Sequence, residues 1–356
     1  MTNRERFINT ALGKPTDRGI FWEDRLWGET HERWRREGMA EQHNFGYDFI
    51  ETTSFLPVNI GYQPPFDHIV LEELENKLLV QDQYGVEKYV MKSNPGLQQF
   101  IRYPVACRAD WEKIKYRLTD DAPDRYDADW ENAGKHNAEM GCAPVSLGGG
   151  HLCGFFSFLR ETMGDDCYYM LYDDEDLVRD MLGFQAWRIC AMLRKTTASV
   201  EVDRLFIWED MCYKNGPLIG PEMFEKLLSG PYSEVIQTAK ECGVQVIDVD
   251  SDGLIDALVP LWLDAGVNMF HPFEVQAGMD VNRVRKEFGH NFAMRGGVNK
   301  RSLASGKFEI DAELERIRPA YEAGRYIPCA DHSIPPDVSF DNYLYYIDKL
   351  KRLLDI

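Results

Sequence analysis

The sequence predicts an α/β fold, a (β/α)8 TIM barrel, on three observations. Apolar runs rich in Val, Ile and Phe alternate with amphipathic helical stretches, the pattern of parallel βα units. Several of those runs end in acids, histidines or a thiol, which is where such barrels carry their chemistry. A length of 356 residues suits one barrel domain with a single insertion.

In chain order, strands are expected at 19–23, 47–52, 144–149, 204–209, 244–249, 267–271, 292–296 and 326–330. Helices are expected over 174–199, 220–242, 254–265 and 311–323. Gly243, Gly266 and Gly324 stand where a left-handed C-cap would end three of them, and Pro221 suits a first helical turn. Residues 53–143 are too long for one βα connection and form an insertion after the second strand, lying over the barrel mouth. Within it, Leu78-Leu79-Val80 and Lys88-Tyr89-Val90-Met91 flank Gln83-Tyr84-Gly85 and predict a β-hairpin. A polar helical stretch follows from Arg108, and Phe340 to Leu354 forms a closing amphipathic helix.

A formal charge of −19 argues against nucleic acid, because binding phosphates needs a basic field. The same charge disfavours an anionic membrane surface, and no apolar run approaches the roughly 18 residues of a membrane span. Eight cysteines are scattered without a Cys-x-x-Cys pair, as expected of reduced thiols in a cytoplasmic protein.

The strand ends supply the candidate site. Asp248, Asp250 and Asp252 fall on one side of a strand if its alternation persists. Carboxylates this close cannot all ionise cheaply, so one could hold a proton as a general acid or they could share a cation; a solvated loop with Asp252 as a helix cap is the plain alternative. Cys329, Asp331 and His332 end another strand, where Cys329 is either a ligand or a small core residue and His332 either catalytic or a loop hydrogen-bonder. His271, before Pro272 and near Glu274, is either a base or a satisfied strand-end imidazole. Two Trp-Glu-Asp runs, 22–24 and 208–210, set an indole beside acids. Trp22 and Trp208 could be pocket walls or core, with Glu23 or Glu209 fixing a hydroxyl or a cation.

These segments resemble the uroporphyrinogen decarboxylase superfamily, and more closely its methyltransferase branch. The resemblance spans essentially the whole chain. It rests on Arg4-Glu5-Arg6-Phe7 with Ala11-Leu12-Gly13-Lys14-Pro15 and Asp17-Arg18, on Trp208-Glu209-Asp210-Met211 with Lys214-Asn215-Gly216-Pro217, and on Asp250-Ser251-Asp252-Gly253. Glu274 through Asp280, Gly296-Gly297-Val298 with Lys300-Arg301, and Asp331-His332-Ser333 with Pro335 through Ser339 complete it. The decarboxylases of the family carry an arginine-rich segment after the first strand. Here residues 22–29 hold one arginine among acids, a poor complement to a polyanionic tetrapyrrole.

The resemblance implies a methyltransferase working with a separate corrinoid-binding protein in anaerobic one-carbon metabolism, and it is compatible with a homodimer. Thiol-specific members hold zinc with a His-x-Cys pair and a later Cys; at matching positions this chain has Asp250, Asp252 and Cys329. Such a set favours an oxygen leaving group and likens the chain to the first methyltransferase of O-demethylase systems, acting on a small aromatic methyl ether. On that analogy Glu209, Asp250, Asp252, His271 and His332 are the candidate catalytic residues. Trp22, Glu23, Trp208, Tyr213 and Glu274 would hold the substrate, with the three rings sandwiching it. Asp250, Asp252 and Cys329 would hold Zn2+. Two alternatives stay open: a cofactor-independent decarboxylase acting on a small acid, and a non-catalytic corrinoid-binding chaperone or sensor.

Overall fold

A computed structural model describes residues 1–356 except Asp24. Its core is a parallel sheet whose strands lie side by side in the order Tyr326–Ala330, Ala293–Val298, Met269–His271, Val246–Asp250, Arg204–Trp208 and Ser146–Gly148. Each strand matches one expected from its Val, Ile and Phe content, and the fold is the expected (β/α)8 type. The helices between strands also fall where expected, with two local differences. The stretch 220–242 is two helices, Pro221–Leu227 and Ser229–Glu241, and the stretch 254–265 is helical only over Val259–Ala265.

The two amino-terminal strand positions do not form a regular ladder. Asp48 explains this: its backbone N–H bonds the Phe21 carbonyl at 2.8 Å, while its carboxylate accepts the Phe21 N–H at 2.9 Å and ion-pairs with Arg18. A side chain thus takes the place of one backbone rung. The run 47–52 then turns into the short helix Glu51–Ser54, and Phe55 bridges to Ser146 in the parallel sense.

The insertion contains a four-stranded antiparallel sheet of Ile69–Glu73, Lys77–Gln81, Glu87–Met91 and Asn94–Arg102. Its two middle strands are the runs around Gln83-Tyr84-Gly85. The outer two are fully exposed along their length, so burial had left no apolar alternation in them to read. Arg125 ties down the loops at the foot of this sheet. Its buried guanidinium donates to the carbonyls of Thr119, Arg117 and Gly61 at 2.7, 2.8 and 3.0 Å.

Inside the barrel the side chains are layered. The lowest layer is apolar, with Ile20, Trp22, Phe49, Val246, Met269, Ala293 and Ile327 meeting Phe7 and Ala11 of the helix Asn3–Leu12. Above it lies a charged layer. Buried Arg204 pairs with Glu51 at 2.7 Å and Asp248 at 3.3 Å, and the Arg295 guanidinium stands 3.9 Å from the Trp22 ring centre. Such charges are tolerated in a barrel interior because each is paired or stacked. The mouth sits directly above. No disulfide joins the eight cysteines, and among the described residues no helix is long and apolar enough to cross a membrane.

Candidate active site

The alternation of Val246–Asp250 sends Val246 into the apolar layer, Asp248 into the charged layer and Asp250 into a cavity of about 210 Å3 at the strands' carboxyl ends. Asp252, His271, Arg295 and His332 line the same cavity. Asp248 holds His271 from below, its carboxylate 3.0 Å from Nδ1, while Nε2 lies 3.4 Å from Asp250. Burial alone would raise the Asp248 carboxyl, but His271, Arg204 and Arg295 bring it down to about 2. Burial and Arg295 oppose a charge on His271, yet Asp248 and Asp250 outweigh them and lift it to about 9. At neutral pH the cavity therefore contains an imidazolium fixed between two carboxylates.

The run Trp208-Glu209-Asp210 parts in three directions. Trp208 lines the cavity, and the His151 ring stacks on it with centres 4.3 Å apart and planes 11° from parallel. Glu209 points away into the protein. Its carboxylate accepts the N–H groups of Phe155, Phe156 and Ser157 at 2.8, 2.9 and 3.1 Å, together with the Tyr232 hydroxyl. It is an anchor for the helix Phe156–Met163, whose first N–H groups need an acceptor. Gly154 makes that approach possible, since a Cβ there would run into the Trp208 carbonyl and the Glu209 carboxylate.

Asp210 is the acid of the pair that faces the cavity. Its backbone is left-handed, with φ of 43°, and Arg160 donates to its carbonyl at 2.7 Å. Burial, followed by the nearby Asp252 charge, pushes its carboxyl up to about 6. The strand-end acids thus divide into a structural anchor and a group able to carry a proton near neutrality.

Asp252, Glu274 and His332 form a group whose ligand atoms all lie within 4.8 Å of one another. They come from three different loops, with His332 Nε2 3.3 Å from Asp252 and Gly253 N–H bonding Glu274 at 3.0 Å. The Glu274 carboxyl is raised, by burial first and then by Asp252. Two half-buried carboxylates that repel one another beside an imidazole fit a divalent cation such as zinc, which would relieve the repulsion and take three protein ligands. The expected set of Asp250, Asp252 and Cys329 shares only Asp252 with this group. Cys329 is 2% exposed within its strand, and Asp250 faces His271 instead.

The other expected substrate contacts are dispersed. Trp22 lies in the apolar layer at 1% exposure, and Tyr213 is 63% exposed and outside the cavity lining. Glu23 is buried and accepts the Ala330 N–H at 2.7 Å. Asp24, which completes the first Trp-Glu-Asp run, is outside the described residues. Arg25, Glu51, His151 and Arg295 line the cavity and are not candidates in the sequence, and Asp210 joins them, a strand-end acid there but with no role of its own. Only Asp210 had a readable signal, as an acid at a strand end.

Residues 157–353 match the family model of uroporphyrinogen decarboxylase (URO-D). No curated protein matches the chain. Among solved structures, a methyltransferase from Methanosarcina mazei superposes with a TM-score of 0.60 at 14% identity, covering 100% of this chain and 98% of its own. A B12-independent methionine synthase from Shewanella sp. gives a TM-score of 0.42 at 12% identity, with 95% of each chain covered. At these identities the first likeness is one of fold.

Proposed function

The chain belongs to the uroporphyrinogen decarboxylase family, and we propose that within it the protein is a methyltransferase that takes the methyl group of an aryl methyl ether and passes it to the Co(I) corrinoid of a partner protein. The observation that carries this reading is that Asp210, Asp252 and His332 line one cavity, with Glu274 close enough to the last two to share a ligand with them. Transfer of a methyl cation equivalent breaks the carbon–oxygen bond and leaves the electron pair on oxygen. That oxygen must be met by a proton or a positive charge as the bond breaks. Asp210, its carboxyl raised to about 6, is protonated in a fraction of molecules near neutral pH and can give that proton up, and His271 is a fixed cation next to Asp250. A zinc ion held by Asp252, Glu274 and His332 would supply Lewis acidity toward the same oxygen. Trp208, with His151 stacked on it, forms one wall of the cavity.

A decarboxylase reading has one observation in its favour: Arg25 and Arg295 line the cavity and could hold a carboxylate. The experiment separates the two. The purified protein is supplied with reduced corrinoid protein and, in turn, methoxybenzenes, methanol and methylamines, and methylcobalamin is followed by its absorbance. Aryl ethers are expected to react, and a chelator is expected to slow them. Reaction with methanol or methylamines alone would overturn the aryl-ether reading. Carbon dioxide release from a small aromatic acid, without methyl transfer, would install the decarboxylase in its place.

A further inference from the structure

The acid cavity is a poor seat for a ring. Its volume of about 210 Å3 falls below the roughly 300–1,000 Å3 of small-molecule sites. Trp22 is sealed beneath it, Tyr213 lies outside it, and one face of Trp208 is covered by His151.

A second cavity of about 570 Å3 adjoins it, with Arg25 and Glu51 lining both. Its wall is lined by His43, Phe45, Tyr47 and Phe49, with Leu26 and His31 completing it. The rings run in a row, His43 to Phe45 at 4.5 Å and Phe45 to Tyr47 at 5.6 Å between centres. At the seam the acid is already satisfied, because Glu51 is 2.7 Å from Arg204 and 4.0 Å from Arg295. The cation is not: Arg25 is exposed and forms no ion pair among the described residues. An aromatic wall beside a guanidinium that meets no carboxylate among the described residues suits a flat ring carrying negative charge.

We infer that this second cavity binds the ring of the substrate, an aromatic bearing an anionic oxygen substituent that pairs with Arg25, while its methoxy group reaches past Glu51 into the acid cavity. The inference rests on the aryl-ether reading for the methoxy group alone. The seat for an anionic ring stands on the geometry of the cavity.

Binding without turnover tests it. Crystals soaked in 3-bromobenzoate, which has no methyl group to give, should show anomalous bromine signal between residues 43–49 and Leu26. Calorimetry with benzoate should show affinity falling about tenfold or more in Arg25→Ala, as expected for loss of a charged hydrogen-bond partner. Benzyl alcohol, which has no charge, should bind Arg25→Ala as it binds the wild type. Ile50→Trp, a substitution at an exposed position beside the wall, should weaken both ligands by filling the space. Bromine seated in the acid cavity, no benzoate binding, or benzoate affinity unchanged in both variants would overturn the proposal. No methyl transfer is read in these measurements, so failure of the transferase reading and failure of this one are told apart.

Discussion

Glu209 and Asp210 are neighbours with opposite surroundings, and the contrast makes the sharpest prediction for single residues. Asp210→Asn removes the proton carrier from the cavity and should lower turnover by about 10²–10⁴, the usual range for an acid–base group, with the fold intact. Glu209→Gln puts an amide NH2 where two backbone N–H groups now point, leaving donors facing donors. Unfolding in urea should show a loss of roughly 2–4 kcal/mol, because buried donors lose a charged acceptor. Turnover per folded molecule should change far less than in Asp210→Asn. Equal stability of Glu209→Gln and the wild type would remove the anchoring role. The sequence marks both acids as strand-end residues but cannot say which one faces the mouth. That choice is made by the left-handed backbone at Asp210 and by three N–H groups more than 50 residues upstream. The group of Asp252, Glu274 and His332 was illegible as a set for a similar reason, since its members meet only when three loops fold together.

At the scale of elements, the adjacent strands Val246–Asp250 and Met269–His271 present a coupled pair whose titration sets a stability window. The Asp248 carboxyl is held down at about 2, so its contribution is present above the unfolded value and is lost as pH falls from about 4 toward 2. The His271 imidazole is held up at about 9, so its contribution is complete below the unfolded value of about 6.5 and is lost as pH rises through 9. Their shared contribution should be greatest between about pH 4 and 6.5, and on the order of 2–3 kcal/mol should disappear by pH 10. In Asp248→Asn the His271 imidazole loses its partner. NMR titration of that ring should then give a midpoint well below 9, and the alkaline loss of stability should shrink. An unchanged midpoint would mean that Asp250 alone sustains the charge. The later strands were legible because both of their faces are buried, which writes them as continuous Val, Ile and Phe runs. The first two look like ordinary strands in the sequence because nothing in their composition shows that the Asp48 side chain replaces a rung.

For the whole molecule, the two ends of the chain come together around the first strand position. Gly19 donates its N–H to the Leu354 carbonyl at 2.9 Å, and Trp27 and Arg25 exchange backbone bonds with Ile334 at 3.2 and 2.9 Å. The closing helix Phe340–Leu353 buries Tyr343, Tyr346, Ile347, Leu350 and Leu353, and Tyr343 lies 4.5 Å from the Trp34 ring. The apolar and charged layers inside the barrel take side chains from both halves of the sequence, as with Trp22 beneath Arg295. Removing residues 340–356 should therefore do more than expose one helix. It should strip the support from 19–23, open the layer holding Trp22, and abolish the fixed tertiary structure that near-ultraviolet circular dichroism reports through buried tryptophans. A milder change should act in the same direction. In Gly19→Val the new side chain meets Leu354 and the Tyr321 hydroxyl, an overpacking that should cost about 1–3 kcal/mol and lower Tm. If near- and far-ultraviolet signals of this variant melt together, the ends and the barrel unfold as one unit. A truncated chain that kept its near-ultraviolet spectrum would show instead that the six central strands hold the barrel without its ends.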